Sequence, residues 1–149
     1  MKGNFESGKK ISLFQYFIVG LMVIITGLLG LLDWLMLREM ILSLLLVSSI
    51  DPWSWSAIDK FTFILFGVIW LIIIYLSAHY YRKGIVNKRL WSYFLLITGI
   101  EIIILFLTHI LPTMAGKGQY SIVLMILEAV SAIICIVASF EIKKRLLRY

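Results

Sequence analysis

The sequence predicts an all-α integral membrane protein in which four transmembrane helices form two antiparallel hairpins. Its composition is the first reason, since 62% of the residues are hydrophobic and only 15% are charged, against roughly 25% charged in soluble domains. The second reason is a set of apolar runs that exceed the roughly 18 residues needed to cross a bilayer. They cover residues 11–32, 61–81, 90–111 and 120–140. These spans fill most of the chain, so residues 1–149 are predicted to form a single transmembrane domain.

The apolar runs are predicted to be helices and not barrel strands. Inside lipid every backbone polar group needs an internal partner, which leaves only helices or closed barrels. Barrel strands alternate apolar and polar residues in short segments, whereas residues 44–47 and 72–74 are uninterrupted apolar runs.

The distribution of positive charge predicts the orientation. Cytoplasmic loops of membrane proteins are enriched in Lys and Arg. On one predicted side lie only Arg38, Lys60 and Lys117. The other side carries Lys2, Lys9, Lys10, Arg82, Lys83, Lys88, Arg89, Lys143, Lys144, Arg145 and Arg148. We therefore expect both termini to be cytoplasmic. The run 11–32 exceeds the roughly 7–15 apolar residues of a signal peptide and is predicted to be a retained span.

The segment 33–50 is apolar but contains Asp33, Arg38 and Glu39. One unbroken helix over 11–50 would be about 60 Å long, twice the hydrocarbon thickness of a bilayer. The sequence therefore predicts a break near Asp33, followed by an amphipathic helix in the outer interface. The three charged residues are interpreted as a small surface cluster.

Two glutamates lie where lipid disfavours charge. Glu101 falls near the middle of the third span and Glu128 near the middle of the fourth. Each belongs to a polar stripe with helical spacing, and opposed stripes would bring the two carboxyl groups together. The supporting stripe residues are Thr98, Thr108, His109, Ser121, Ser131 and Cys135.

Three interpretations of the glutamate pair remain open. An ionisable residue inside a membrane often marks a proton or cation path. A protonated glutamate can also join two helices through a hydrogen bond, and a buried acid can receive a basic residue of a partner subunit. Because lipid disfavours the charged form, we expect at least one of the two to be protonated at neutral pH.

Glycines and terminal basic residues are candidates for structural contacts. Gly20, Gly27 and Gly30 lie near one face of the first span, where small residues permit close helix packing. A basic cluster after the fourth span is predicted to attract anionic lipid headgroups. It consists of Lys143, Lys144, Arg145 and Arg148.

Histidine and cysteine content argues against a cofactor. His79 and His109 are predicted at opposite membrane faces, so they cannot ligate one iron, and haem bound through either is the disfavoured alternative. Cys135 has no second cysteine to pair with. We expect no metal and no cofactor.

The leading functional hypothesis is a non-enzymatic accessory or structural subunit of a larger membrane complex. The alternative is a small homo-oligomeric proton- or cation-coupled transporter or channel that uses Glu101 and Glu128. Enzymatic activity is less favoured, since nothing in the sequence defines a substrate pocket. The expected partners are the lipid bilayer and other membrane subunits or further copies of the chain, not nucleic acid. The expected location is the cell membrane, as a bacterial inner-membrane protein.

Overall fold

The computed structural model describes residues 13–116 and 120–146. These residues form four α-helices: α1 (Leu13–Leu45), α2 (Pro52–Val86), α3 (Leu90–Met114) and α4 (Ile122–Leu146). Each helix is long and apolar enough to cross a membrane. The predicted all-helical class and the four candidate spans are therefore confirmed.

Helix α1 is longer than the first predicted span. It continues without interruption through Asp33 to Leu45, so the predicted break near Asp33 is wrong. Residues 34–45 contain neither Gly nor Pro and are rich in Leu and Met, which favour helix. Asp33 lies within the helix, and its side chain is buried near α2 and α3. At 33 residues α1 is about 50 Å long.

Helix α2 begins earlier than the sequence predicts. It starts at Pro52, and Asp51 caps it by accepting a hydrogen bond from the backbone N–H of Trp53 at 3.1 Å. Aspartate at the cap and proline in the first turn are both favoured there. With 35 residues, α2 is about as long as α1. Both exceed the 25 residues of α3 and of α4.

Helices α1 and α2 run antiparallel along their length. The indole Nε1 of Trp70 donates a hydrogen bond to the carbonyl oxygen of Gly27 at 3.0 Å. Further along α1, Arg38 contacts Asp59 near the start of α2. The numbers of the contacting residues increase along α1 as they decrease along α2, so the two helices are antiparallel.

Helix α3 is the central element, since it packs against α1, α2 and α4. Within the described residues, α4 packs against α3 but not against α1 or α2. The α3–α4 pair is also antiparallel, because Ser92 at the start of α3 contacts Ser139 near the end of α4. The described chain is thus a three-helix group of α1, α2 and α3 with α4 attached along α3.

This attachment predicts a specific cross-link. The hydroxyl oxygens of Ser92 and Ser139 lie 3.1 Å apart, close enough for paired cysteines to approach disulfide geometry. In a Cys135→Ser background, Ser92→Cys with Ser139→Cys is expected to form an intramolecular disulfide on mild oxidation, seen as a gel-mobility shift. Ser92→Cys with Ser131→Cys is the control, since Ser131 lies about 12 Å further along α4. Equal cross-linking of both pairs would contradict this packing.

Candidate functional site

Two carboxyl groups lie inside the group formed by α1, α2 and α3. Asp33 of α1 is 5% exposed and Glu101 of α3 is 2% exposed. A Cβ atom placed on Gly30 would lie 3.4 Å from Oε1 of Glu101, so the Glu101 carboxyl group faces α1. Asp33 is one helical turn beyond Gly30 on the same face, and it lines a small cavity together with Ile104, which lies one turn beyond Glu101 on α3. The structure therefore brings Asp33, and not Glu128, to Glu101.

These acids lack the partners that usually accompany buried carboxyl groups. Among the described residues, neither carboxyl oxygen of Glu101 has a hydrogen-bond partner, and Oδ1 of Asp33 has none either. Nor does a Lys or Arg of the described residues form an ion pair with either acid. Burying polar groups without compensation costs free energy, so neither carboxyl group adds stability through hydrogen bonds at these oxygens.

Asp33 belongs to the site, although the sequence predicts it in a surface cluster with Arg38 and Glu39. Arg38 instead donates two hydrogen bonds to Asp59, at 2.7 and 2.9 Å. The signal that could have found Asp33 is its spacing from Thr26 and Gly30. The spacing i, i+4, i+7 puts the three on one helix face.

A buried hydroxyl pair lies next to the acids. Tyr81 is fully buried, and its hydroxyl oxygen lies 2.7 Å from that of Thr26. Thr26 is one helical turn before Gly30, the residue that Glu101 approaches, on the same face of α1. A polar track of Tyr81, Thr26, Glu101 and Asp33 thus runs between α1, α2 and α3, while much of the outer surface is apolar.

The hydroxyl pair gives a testable coupling. Thr26→Val leaves the Tyr81 hydroxyl buried without that partner, so it is expected to lower the unfolding free energy by about 0.6 to 1.7 kcal/mol, as for other interhelical hydrogen bonds in membranes. The double variant Thr26→Val/Tyr81→Phe should lose less than the sum of the two single variants. Denaturant titration in mixed micelles measures all four proteins. Additive losses would show that the two hydroxyl groups do not interact.

Glu128 has a different partner from the one expected. Its Oε2 atom lies within hydrogen-bonding distance of Nδ1 of His109, at 2.9 Å. The His109 ring packs against Tyr120 with a centroid distance of 4.2 Å. His109 is eight residues beyond Glu101, which is about 12 Å along α3. Glu128 and His109 therefore form a separate pair between α3 and α4, at a different level from Glu101.

The other residues of the predicted stripes have local roles. Thr108 donates to the carbonyl oxygen of Leu105 at 2.7 Å, and Ser131 donates to that of Glu128 at 2.9 Å. The Thr98 hydroxyl group is buried without a hydrogen-bond partner among the described residues. Cys135 is a free thiol, and Ser121 is exposed. Neither of these two hydrogen bonds is to the Asp33–Glu101 pair.

The three glycines predicted to permit close helix packing differ in how near their neighbours lie. A Cβ atom on Gly30 would lie 3.0 Å from Trp70, and one on Gly27 would lie 3.6 Å from Ile74. Gly20 has nothing within 4 Å of such an atom. Gly27 and Gly30 therefore lie against α2, whereas Gly20 does not.

The basic cluster and the histidines are placed apart from the acidic pair. Lys143, Lys144 and Arg145 occupy the last turn of α4 and are exposed, while Arg148 lies outside the described residues. His79 is exposed and its ring forms a T-shaped arrangement with that of Tyr80, and the structure does not bring it to His109. No group of three or more His, Cys, Asp or Glu suited to a metal ion occurs in residues 13–116 and 120–146.

The fold and the acidic pair together define a class: a small multi-pass α-helical membrane protein with a buried, uncompensated Asp–Glu pair. No protein-family model matches the sequence, no curated protein matches it, and no solved structure matches the fold. The site itself is therefore the basis for proposing a function.

Proposed function

We propose that the protein is a small proton- or cation-coupled transporter or channel whose coupling site is formed by Asp33 and Glu101. The observation that carries this proposal is the burial of both carboxyl groups without hydrogen bonds to the Glu101 oxygens. Ionisable residues within membrane spans are costly and are retained mainly at ion paths or helix contacts. Helix contact through hydrogen bonding is the weaker explanation here, because the Glu101 oxygens accept no such bond from the described residues.

The chemistry follows from two acids in a low-dielectric interior. Two buried carboxyl groups in such an interior cannot both ionise at modest cost, so at least one of them carries a proton or is neutralised by a bound cation. Binding and release of that charge alter the attraction between α1 and α3 at Gly30, where Glu101 approaches α1. A small cavity of about 60 Å³ with a mainly apolar wall lies beside Asp33.

The orientation completes the proposal. The positive-inside rule puts both termini in the cytoplasm, and we favour a bacterial inner membrane. The longer helices α1 and α2 then extend beyond the bilayer core on the outer side. There the exposed side chains of Leu46, Ile50 and Trp53 suit the headgroup layer, where the sequence predicts an interfacial helix.

An accessory subunit is the second candidate. It is favoured by α4, which packs against α3 but against neither α1 nor α2 in the described residues. The free side of α4 is apolar, with Val130, Ile134 and Val137 exposed, and accepts lipid or a helix of another subunit. Native mass spectrometry after gentle extraction separates these cases. Stable heteromeric complexes would favour the subunit, and a homo-oligomer alone would favour the transporter.

The transporter proposal is tested by proton flux in reconstituted vesicles. With a pH-sensitive dye inside and an imposed potential, the wild-type protein is expected to admit protons, while Asp33→Asn and Glu101→Gln are expected to abolish the flux. Glu128→Gln is the matched control, since it alters an intramembrane glutamate that contacts His109 instead. A wild-type protein that moves neither protons nor alkali cations, or equal flux through Glu101→Gln, would overturn the proposal.

A further inference from the structure

We infer that Trp70 is a positioning residue whose indole N–H changes its hydrogen-bond acceptor with the charge of Glu101. The N–H donates to the carbonyl oxygen of Gly27 while Glu101 holds a proton, and to the Glu101 carboxylate once that proton has left. The inference rests on the proposed function, because the proton whose loss moves the indole is the transported one.

The indole ring of Trp70 and the carboxyl group of Glu101 meet at Gly30. Measured from the position that a Cβ atom would take on Gly30, the indole Cδ1 atom lies at 3.0 Å, and both the indole Nε1 atom and Oε1 of Glu101 lie at 3.4 Å. The nitrogen and the oxygen are therefore separated by at most twice 3.4 Å. Gly30 puts no side-chain atom between them. Helices α1, α2 and α3 thus each contribute one residue to this contact.

The hydrogen bond that Trp70 makes in this structure is one that the Gly27 carbonyl group can lose. The indole Nε1 donates to the Gly27 carbonyl oxygen at 3.0 Å. Gly27 lies inside α1, where a carbonyl oxygen also accepts the N–H of the residue four positions later, here Leu31. Because a carbonyl oxygen has two lone pairs, this one keeps its helical partner when the indole turns away. The exchange therefore leaves no backbone group unsatisfied.

The alternative acceptor is attractive only when it is charged. Neither carboxyl oxygen of Glu101 has a hydrogen-bond partner among the described residues. A hydrogen bond from an N–H to a carboxylate is about twice as strong as one between neutral groups. A protonated Glu101 offers a neutral oxygen and leaves the indole on Gly27, whereas the carboxylate competes successfully for it. Since the indole N–H is a donor only, Trp70 stabilises the carboxylate without taking up the proton.

The exchange of acceptors links the proton on Glu101 to the contact between α1 and α2. While Trp70 donates to Gly27, it joins α2 to α1; when it donates to Glu101, it joins α2 to α3. Trp70 also stacks on Trp34 of α1, with ring centroids 5.7 Å apart, so a movement of its ring is transmitted to a second residue of α1. Loss of one proton therefore favours a different arrangement of the three helices, as coupled transport requires.

The direct test follows the indole N–H resonances of ¹⁵N-tryptophan-labelled protein in lipid nanodiscs as the pH is raised. The Trp70 resonance is assigned by its absence from Trp70→Phe. We expect it to move downfield when Glu101 loses its proton and to stay in place in Glu101→Gln. The Trp55 resonance is an internal control, because that indole donates to the Ile50 carbonyl oxygen at 3.1 Å, about 22 Å from Trp70 along α2. A Trp70 resonance that ignores pH, or responds equally in Glu101→Gln, overturns the inference.

Proton flux gives the second test. Trp70→Phe keeps an aromatic ring and removes the N–H, so flux at neutral pH is expected to fall about ten- to hundredfold, the fold-change that corresponds to a hydrogen bond with a charged group. Raising the pH should restore this flux, because a lower proton concentration favours release of the proton from Glu101. Glu101→Gln should stay inactive at every pH, and Trp55→Phe should match the wild-type protein. Unchanged flux in Trp70→Phe, or slow flux that higher pH does not restore, contradicts the inference.

An alanine at Gly30 separates the two groups while keeping both. Its methyl carbon would lie 3.4 Å from Nε1 of Trp70 and from Oε1 of Glu101, so the Trp70 resonance of Gly30→Ala should lose its pH response. Gly20→Ala is the matched control, since a Cβ atom there has nothing within 4 Å, and it should keep that response. Equal responses in the two variants would contradict an exchange at Gly30.

Failure of the inference and failure of the proposed function give different results. If the Trp70 resonance follows pH through Glu101 but the wild-type protein moves no ion, the transport function fails and the exchange of acceptors stands. If the wild-type protein moves protons while the Trp70 resonance ignores pH, the inference fails and the proposed function stands.

Discussion

Replacing Glu101 with methionine is expected to stabilise the folded protein by about 1 to 3 kcal/mol, the usual cost of a buried polar group without a partner. The side chain is 2% exposed, and its oxygens accept no hydrogen bond from the described residues. Methionine has a similar length and needs no such bond, so it removes the penalty while filling the same space. The same variant is expected to lose proton flux.

Glu128→Met is the matched control for this gain. The Glu128 carboxyl group lies 2.9 Å from Nδ1 of His109, and its removal leaves a buried imidazole without that partner. The unfolding free energy of Glu128→Met should be lower than that of the wild-type protein, whereas that of Glu101→Met should be higher. Denaturant titration in mixed micelles measures both. A loss of stability in Glu101→Met would show that Glu101 acts as a structural group, and the proposed site would then lose its main support.

Gly99→Leu is expected to be the most damaging substitution on the α3–α4 contact. Even a Cβ atom at Gly99 would lie 2.8 Å from Cγ1 of Ile136 and 3.3 Å from Cβ of Cys135. Because α4 packs only against α3 in the described residues, it has no other helix to compensate. Overpacking of this kind costs about 1 to 3 kcal/mol.

Gly20→Leu is the control for Gly99→Leu, since a Cβ atom at Gly20 has nothing within 4 Å. Its thermal unfolding should stay near that of the wild-type protein. In the Ser92→Cys/Ser139→Cys background, Gly99→Leu should also reduce disulfide formation. If both glycine variants unfold alike, α3 and α4 do not pack as described.

The fold was predictable in its helices but not in their lengths. Apolar runs of more than 18 residues leave little alternative to helices in lipid. The predicted break near Asp33 is wrong because it rests on a comparison of helix length with bilayer thickness. By that comparison a charged residue marks the end of a span. The residue is instead buried beside α3, and only the tertiary packing reveals that environment.

Of the two acids at the site, Glu101 was predictable from the sequence, but its partner was not. Glu101 stood out because it interrupts an apolar run, but its partner depended on which helix faces it. The sequence suggested α4 and Glu128, whereas Gly30 lets Glu101 approach α1 and His109 engages Glu128. The rotation of α3 about its axis decides which of these pairings forms. The periodicity of residues along one helix does not determine that rotation.

Infrared spectroscopy of the carboxyl groups tests the central claim most directly. A buried acid that holds a proton at neutral pH shows the C=O stretch of a protonated carboxyl group, which shifts on exchange into heavy water. The account predicts this band in the wild-type protein at pH 7, its loss or shift in Asp33→Asn and in Glu101→Gln, and its persistence in Glu128→Gln. A wild-type spectrum without the band, or a band that only Glu128→Gln removes, would contradict a protonated acidic site at Asp33 and Glu101.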